Sequence, residues 1–423
     1  MIDINLIREN PNLVKQSQKK RGLEDKKVDK LFEIDEEWRK IKQETDNLRS
    51  ERNKISQEIN QAKKQNKNID ELLTRAKDIP IKLQKKEEEL KRLEEERISI
   101  LENIPNIVDK SVPVGDATKN KVTKVFCKPK KLKFTPKGHE DLLINLDQLD
   151  IERAAKVSGS RFYYLKKDLV KLNYAIINFI LDFLGKKNFI LIQPPYMINK
   201  EALKGAITLS SFDEMIYKIE NEDLYLIGTA EHAINAYYMN ETLNSNNLPI
   251  RFAGISPCFR KEAGSHGKDT KGIFRTHQFE KIEQFIFCKP KDSWKEFELL
   301  LNNSRDILKQ LEIPFRFVAL SSQELGRVSS KTIDFEGWFP SQKAYRELGS
   351  CSNCLDYQAR RSNIKYEDKN ERGFLYTLNN TALATERAIT CIVENFQQKD
   401  GSIKIPQVLH KYTKFKVIKN VRR

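Results

Sequence analysis

Apolar residues recur at alternating spacings of three and four along two early stretches of the chain, residues 31–62 and 72–104. This heptad pattern is typical of the seam between two packed helices. The polar residues 63–68 separate the stretches and predict the turn between them. The pattern therefore predicts an antiparallel two-helix coiled coil, with each helix on the order of 50 Å long at about 1.5 Å per residue. By itself, such a hairpin would most simply be a dimerisation or spacer element.

Four residues interrupt this pattern. Pro80 falls inside the second stretch, where its ring is expected to kink the helix or to make it begin afresh. Arg52, Lys86 and Arg97 fall on seam positions, so the apolar seam is expected to be weaker there.

The remainder of the chain has a different pattern. Residues 104–116 are rich in turn formers and predict a linker. Beyond Leu142, helices and strands alternate irregularly, which favours an α+β domain built around an antiparallel sheet. The apolar run at residues 174–184 is short and contains Asn178 and Asp182, so it predicts a core helix and not a membrane span.

Two alternating segments, residues 259–262 (Phe-Arg-Lys-Glu) and residues 274–283, flank a Gly-rich connection at residues 263–272. Alternation around such a connection predicts an antiparallel hairpin. Arg260 and Glu262 would share a face of the strand. A guanidinium can grip a phosphate, and a carboxylate can accept from a base amino group. The hairpin therefore suits a nucleotide lying across a sheet. The alternative is an amphipathic hairpin whose charges face solvent, which would have the same sequence pattern.

Composition narrows the class of partner. The chain has 423 residues, enough for two or three domains, and a formal net charge of +16. Such a charge favours a polyanionic partner, most simply nucleic acid, although a generally lysine-rich composition is the alternative. No secretory signal is visible, and the six scattered cysteines are expected to be reduced thiols. Cys351 and Cys354 have the spacing of half a zinc site, but no second pair follows, so no structural zinc is expected.

These segments, taken in order, resemble the class II aminoacyl-tRNA synthetases, and the seryl-tRNA synthetases in particular. The hairpin resembles motif 2. The helix at residues 169–184 and the strand that ends at Pro194 resemble motif 1, which builds the dimer interface, while residues 377–394 resemble motif 3. The coiled coil resembles the family's tRNA-binding arm. The resemblance implies an N-terminal tRNA-binding domain at residues 1–108 and a class II catalytic domain, an antiparallel sheet flanked by helices, at residues 109–423.

A serine site is implied around residues 229–231 (Thr-Ala-Glu). Serine offers an ammonium and a hydroxyl, so its pocket needs a carboxylate and small hydrogen-bonding groups. The alternative for the tripeptide is a helix start with Thr229 as N-cap. The resemblance implies serine contacts from Thr229, Ala230, Glu231, Glu283 and Thr381.

The resemblance also implies an ATP site. Arg260 is expected to hold the α-phosphate as a catalytic residue, Phe279 to stack on adenine and Glu262 to meet its amino group. Arg275 and the second catalytic arginine, Arg387, would support the polyphosphate. The resemblance also places Lys261, Leu348 and Gly349 in the ATP site, with Glu347 and Ser350 as magnesium ligands. The alternative for the strand that carries Glu347 and Ser350 is an exposed surface strand. The alternative for Arg387 is a helix charge that faces solvent. Glu386 stands where the family often has glycine, and its negative charge puts the geometry of Arg387 in doubt.

The function implied is the activation of L-serine with ATP to seryl-adenylate and its transfer to the 3′ end of tRNA(Ser), with tRNA(Sec) as a further candidate, by a cytoplasmic homodimer with no membrane partner. Two rivals remain: a class II enzyme for threonine or proline, and a non-enzymatic relative that only binds RNA. The set Thr229, Glu231, Glu283 and Thr381 argues against proline, which has no side-chain donor. A protein that only binds RNA has no need of Arg260, Glu262, Glu283 and Arg387 together.

Overall fold

The computed structural model describes residues 1–207, 215–262 and 271–419. The chain forms two compact units, Ile2–Pro105 and the chain from Asn106 onward together with Met1. Within the described ranges, every helix is too short or too polar to cross a bilayer.

The N-terminal unit is helical. Its helices are α1 (Ile4–Glu9), α2 (Pro11–Lys20), α3 (Lys26–Lys64) and α4 (Asp70–Glu102). Ion pairs between α3 and α4 join Lys30 to Glu96 and Arg75 to Glu51, so early residues of one helix meet late residues of the other. The predicted antiparallel coiled coil is therefore confirmed.

The second helix does not begin afresh at the proline. Helix α4 runs unbroken through Pro80, so that alternative of the prediction is wrong. Ile79 and Leu83 lie on either side of Pro80 along the seam, and both are buried. Their burial supplies packing that offsets the one backbone hydrogen bond that proline removes.

A buried ion cluster replaces the apolar seam at one level of the hairpin. Asp35 of α3 is only 1% exposed and accepts from Arg97 of α4 at 2.9 Å and from Arg8 of α1 at 2.7 Å. The Arg97 guanidinium also lies 4.0 Å from the centre of the Trp38 ring. The seam at Arg97 is thus not simply weakened as predicted, because charge pairing and stacking take the place of apolar contact.

The C-terminal unit contains short and long helices around one large sheet. Its helices are α5 (His139–Asn145), α6 (Glu152–Ser158), α7 (Asp168–Gly185), α8 (Lys200–Ala206), α9 (Ala230–Asn235), α10 (Ser293–Gln310), α11 (Tyr357–Arg361), α12 (Thr385–Phe396) and α13 (His410–Thr413).

The strands of this unit range from two to eleven residues. They are β1 (Lys121–Phe126), β2 (Leu149–Asp150), β3 (Tyr164–Leu165), β4 (Ile190–Ile192), β5 (Met197–Ile198), β6 (Tyr225–Leu226), β7 (Thr242–Asn244), β8 (Ile250–Phe259), β9 (Gln278–Cys288), β10 (Phe315–Ala319), β11 (Lys331–Phe339), β12 (Ala344–Asn353), β13 (Lys365–Glu367), β14 (Arg372–Phe374), β15 (Tyr376–Ala384), β16 (Ile403–Lys404) and β17 (Val417–Ile418).

In the described residues the main sheet has eight strands in the order β1-β10-β11-β12-β15-β9-β8-β4. All neighbours are antiparallel except β4 and β8, which are parallel. The predicted antiparallel sheet is confirmed apart from this edge. The connection from β4 to β8 is long and includes helices α8 and α9, as a parallel pairing requires.

Close packing under the sheet fixes the central strands. The apolar faces of α7, α10 and α12 contribute to one core with residues of β9, β11 and β15, among them Ile176, Leu300, Ile389, Ile286 and Leu378. Helix α9 packs on β8 through Ile234, and a Cβ at Gly254 would lie 2.4 Å from the Ile234 side chain. Only glycine at position 254 lets α9 approach the sheet this closely.

Candidate active site

A cavity of about 450 Å³ lies where β8, β9, β12 and β15 meet the start of α12. This volume is within the usual range for a small-ligand site, roughly 300–1,000 Å³. Most of the sequence-predicted site residues line it: Thr229, Glu231, Arg260, Glu262, Arg275, Phe279, Glu283, Glu347, Leu348, Gly349, Ser350, Thr381 and Arg387.

Two predicted residues do not line the cavity. Ala230 is fully buried in an apolar cluster with Ile234 and Phe252. Lys261 lies in the segment after β8, where its backbone N–H donates to the carbonyl of Met215. Of these two, the structure therefore places Ala230 under the site and Lys261 beside it.

Two amide groups hold the Glu231 carboxylate, which lines the cavity. Gln358 Nε2 donates to Glu231 Oε1 at 2.7 Å and Asn379 Nδ2 donates to the same oxygen at 3.0 Å. Burial and the nearby Glu283 carboxylate raise the pKa of Glu231. A cation such as an ammonium would favour the ionised carboxylate and would offset its desolvation.

Thr229 both caps a helix and contacts the second carboxylate. Its hydroxyl accepts the Glu231 N–H at 3.2 Å as the N-cap of α9, and donates to Glu283 Oε2 at 3.3 Å. Glu283 also forms an ion pair with Lys281, which is two residues earlier on the same face of β9. Thr381 lies directly opposite Glu283 in the β15–β9 ladder, so the two side chains share a face.

The predicted hairpin is present, but its charged residues lie beyond the strands. Strand β8 ends at Phe259 and pairs there with Gln278, so Arg260, Glu262 and Arg275 belong to the connecting segment. The prediction that Arg260 and Glu262 share a strand face is therefore wrong, and Glu262 has a φ of 49°. Residues 263–270, which make up most of the Gly-rich connection, lie outside the described residues.

These residues still converge on the cavity. Arg260 Nε donates to the carbonyl of Gly228 at 3.1 Å, and the Arg260 guanidinium lies 5.2 Å from the centre of the Phe279 ring. Arg275 Nη1 donates to Glu262 Oε2 at 2.8 Å. An arginine, an aromatic face and a carboxylate thus stand together, as an adenine nucleotide would require.

The opposite wall is formed by β12 and α12. Arg387 Nη1 lies 3.2 Å from Glu347 Oε2, and the Arg387 guanidinium lowers the pKa of Glu347. The register between β11 and β12 shifts at Leu348, because Phe335 pairs with Gly349 but Glu336 pairs with Glu347. This extra residue is a β-bulge, and it turns Glu347 and Ser350 to the same face although they are three residues apart.

Gly349 makes this wall possible. A Cβ on Gly349 would lie 2.6 Å from the Phe335 ring and 2.8 Å from Thr381 Cβ. No side chain fits at position 349. The backbone between Glu347 and Ser350 can therefore lie close to Thr381 and remain open to the cavity.

Comparisons with known proteins agree with this geometry. Residues 1–108 match the family model of the seryl-tRNA synthetase N-terminal domain, and residues 215–396 match that of the tRNA synthetase class II core domain (G, H, P, S and T). The chain is 47% identical to the serine–tRNA ligase of Nitrosopumilus maritimus, over 97% of this chain and 98% of that protein.

The chain belongs to the seryl-tRNA synthetase family.

Solved structures extend the similarity to the whole fold. The seryl-tRNA synthetase of Pyrococcus horikoshii, solved with ATP, is 44% identical with a TM-score of 0.95 over all of both chains. The cytoplasmic serine–tRNA ligase of Naegleria fowleri, solved with AMP, is 39% identical with a TM-score of 0.90, over 100% of this chain and 99% of that one. The prolyl-tRNA synthetase of Giardia lamblia, at 15% identity and a TM-score of 0.57, shares the fold alone, over 66% of this chain and 57% of that one.

Sequence analysis did not identify two polar residues that line the cavity, Lys281 and Asn379, or Gln358, which contacts the cavity residue Glu231. Lys281 and Asn379 could have been found, because each lies two residues from a predicted residue, Glu283 or Thr381, on the same strand face. Gln358 offered no local signal, because it reaches Glu231 from the separate helix α11.

Glu386 is not placed where its charge was expected to act. It is 2% exposed and accepts from the Glu280 backbone N–H at 3.0 Å and from the Tyr163 hydroxyl. Its neighbour Arg387 faces Glu347 instead. Glu386 is thus engaged with β9, whereas Arg387 pairs with Glu347.

Proposed function

We propose that this chain activates L-serine with ATP and transfers the seryl group to the 3′ end of tRNA(Ser), with tRNA(Sec) as a second tRNA to test. The observation that carries the proposal is one cavity lined both by the carboxylates Glu231 and Glu283 and by the arginines Arg260 and Arg387. The carboxylates would form a serine end, which suits a cationic amino acid group with a hydroxyl, and the arginines suit a polyphosphate.

The serine end would recognise two groups. The α-ammonium would lie against Glu231, which two amides already orient. The side-chain hydroxyl would lie between Glu283 and Thr381, which face each other across the β15–β9 ladder. Thr229 would complete this end through its hydroxyl, with Ala230 supporting it from below.

The reaction would need no covalent protein nucleophile. A serine carboxylate oxygen attacks the α-phosphorus of ATP, an O–P bond forms, and the bond to pyrophosphate breaks. The tRNA terminal ribose hydroxyl then attacks the seryl carbonyl carbon, AMP leaves, and the hydroxyl proton is lost. Arg260 would hold the α-phosphate in line, and its positive charge would stabilise the charge that develops there.

The nucleotide would be held by both walls. Phe279 would stack on the adenine, and Glu262, with Lys261 beside it, would accept from the adenine amino group. Arg275 and Arg387 would balance the polyphosphate charge, with Leu348 and Gly349 forming the adjoining backbone surface.

The residues fit a magnesium ion bound together with ATP. The β-bulge places the Glu347 carboxylate and the Ser350 hydroxyl on one face, and magnesium usually takes one or two protein oxygens plus phosphates and water. When bound, the ion would neutralise part of the phosphate charge. Glu347, which Arg387 keeps ionised, is the stronger of the two candidate ligands.

The two units would divide the work. We assign tRNA binding to residues 1–108, including the helical hairpin, and catalysis to residues 109–423. We also propose a homodimer through the motif 1 region, where Ile190 and Leu191 of the edge strand β4 are 55% and 48% exposed. A reducing compartment, the cytoplasm, suits six free thiols of which five are buried.

ATP–pyrophosphate exchange with a panel of amino acids tests the proposal. We expect serine-dependent exchange, with threonine and proline far behind. Preferential activation of threonine or proline would assign the chain to another amino acid. Absence of exchange, with tRNA binding retained, would leave only an RNA-binding protein.

A further inference from the structure

One buried carboxylate beside the cavity takes no part in the proposed chemistry. Glu386 is the second residue of α12, is 2% exposed, and borders the cavity between Ala384 and Arg387. A buried carboxylate costs free energy unless its oxygens are fully hydrogen-bonded.

Among the described residues, the hydrogen-bond partners of the Glu386 carboxylate are all donors. The Glu280 N–H donates to both carboxylate oxygens, at 3.0 and 3.1 Å, and the Thr385 hydroxyl donates at 3.1 Å. The Tyr163 hydroxyl donates to Oε1. An ionised carboxylate accepts only, so this form matches its surroundings.

These contacts tie together two parts of the nucleotide site. The Glu280 N–H belongs to the peptide that follows Phe279, the residue assigned to adenine. Arg387, assigned to the polyphosphate, is the next residue after Glu386 in the first turn of α12 and points to Glu347. The carboxylate therefore bridges the backbone behind the adenine and the helix that carries the arginine.

We propose that Glu386 is a positioning residue for ATP, which fixes the Phe279–Glu280 peptide against the first turn of α12 and so sets the separation between Phe279 and Arg387. The inference rests on the proposed assignment of these two residues to ATP. It does not depend on which amino acid is activated.

The contact should depend on pH. Burial, with a smaller contribution from the Glu280 carboxylate, raises the pKa of Glu386 to about 7, while the Tyr163 hydrogen bond opposes the shift. The titratable and charged groups around it are Tyr163, Glu280, which is itself held by Asn173, and Arg387 on the same helix. Below that pH the neutral acid carries a proton among donors and accepts fewer bonds, so the contact loosens.

The test is calorimetric binding of Mg–ATP to the full-length protein without amino acid, from about pH 6 to about pH 8.5, a range that spans the titration of Glu386. In Glu386→Gln the amide nitrogen cannot accept from Glu280. We expect Kd for ATP to rise about 10-fold at the alkaline end, equivalent to about 1.4 kcal/mol. The Kd of the variant divided by the Kd of the parent should fall towards one at the acid end of the range. There Glu386 of the parent is protonated and, like glutamine, uncharged.

The deciding quantity is the Kd of the variant divided by the Kd of the parent. The phosphate groups of ATP also titrate near pH 6, but their effect on Kd is the same for both proteins and cancels in this ratio. Tyr163→Phe provides a second variant: it removes a donor that favours the ionised form, so the pH at which ATP binding weakens should move upward. Glu296→Gln is the matched control, because Glu296 is equally buried but pairs with Arg251 and does not line the cavity.

A ratio that stays constant with pH, or an unchanged Kd in both variants, would overturn the positioning role. An unchanged midpoint in Tyr163→Phe would overturn the assigned hydrogen bond. Failure of the proposed function has a different signature, because serine would then fail in exchange while the pH-dependent ATP ratio persists.

Discussion

At the residue scale, the site depends on which side chains share a strand face and which are turned there by a bulge. Glu283 and Thr381 were implied by the family resemblance, and alternation along β9 and β15, counted from these two residues, would have given Lys281 and Asn379. The common face of Glu347 and Ser350 was not predictable in this way, because it requires the extra residue at Leu348. Gln358 reaches Glu231 only through tertiary folding.

Arg260→Lys should slow adenylate formation by roughly 100-fold, about 2.7 kcal/mol of transition-state stabilisation. A lysine ammonium cannot copy a two-bond grip on phosphate, nor the planar contact with Phe279. Arg251→Lys is the control, because Arg251 forms a two-bond pair with Glu296 away from the cavity. ATP–pyrophosphate exchange at the normal rate in Arg260→Lys would show that Arg260 does not bind the reacting phosphate.

Thr381→Ala should raise KM for serine while leaving KM for ATP nearly unchanged, because Thr381 faces Glu283 at the serine end. In the parent we expect serine to be used far better than threonine, and threonine better than alanine. A pocket that hydrogen-bonds a hydroxyl is left unpaired by alanine, whereas threonine must be excluded by shape. Exchange kinetics with the three amino acids measure both.

The matched control is Thr332→Ala, which removes a buried β11 hydroxyl paired with Ser352 and outside the cavity lining. An equal rise in both KM values for Thr381→Ala would show that this hydroxyl supports the strand and does not select the amino acid.

At the element scale, the helical hairpin was predictable almost in full from its heptads, including the turn between α3 and α4. Its ion cluster was not, because the partners of Asp35 come from α1 and α4 as well as from α3. The unbroken course of α4 through Pro80 likewise depends on contacts with the other helix and not on local propensity.

Asp35→Ala should destabilise the hairpin by about 3 kcal/mol, because it removes the buried carboxylate shared by Arg8 and Arg97 and leaves Arg97 paired, within the described residues, with Glu94 alone. Asp46→Ala, which removes an exposed carboxylate paired with Lys42, is the control and should cost less than about 1 kcal/mol. Hydrogen exchange of the amides in α3 and α4 measures both, and equal protection in the two variants would contradict the role of the cluster.

The same ion cluster predicts that the helical hairpin loses stability at low pH. Burial opposes ionisation of Asp35, but hydrogen bonds from Arg8 and Arg97 prevail and lower its pKa. A folded-state pKa below the unfolded value means that the stabilisation is complete above the ordinary aspartate pKa, about 4, and is lost as the pH falls below it.

At the scale of the whole molecule, the two units should be separable in function. Replacing residues 31–100 by a short linker should spare serine-dependent ATP–pyrophosphate exchange and cripple tRNA charging, because the cavity is built entirely from residues of the C-terminal unit. Phosphate contacts by the hairpin would also make tRNA binding by the parent fall steeply with salt. Unchanged charging kinetics in the shortened protein would remove the role assigned to the hairpin.

The α+β class and the order of the motifs were predictable from sequence, because each motif has a local signature. The strand order was not, because β1 pairs with β10 and β12 with β15 across long intervening segments. The parallel edge between β4 and β8 likewise depends on the path of the chain between them.

The helical hairpin pairs segments that are close in sequence, whereas the main sheet pairs strands that are far apart in sequence, and the two therefore form at different times during synthesis. A ribosome adds about 5–20 residues per second, starting at the N-terminus. The helical hairpin closes through contacts between neighbouring segments, so it can fold as soon as it emerges, whereas Lys121–Phe126 must wait for Phe315–Ala319. The waiting strand carries Lys121 and Lys124, and such charges discourage premature association with other nascent chains. The part assigned to tRNA would thus be complete while the catalytic sheet is still being made.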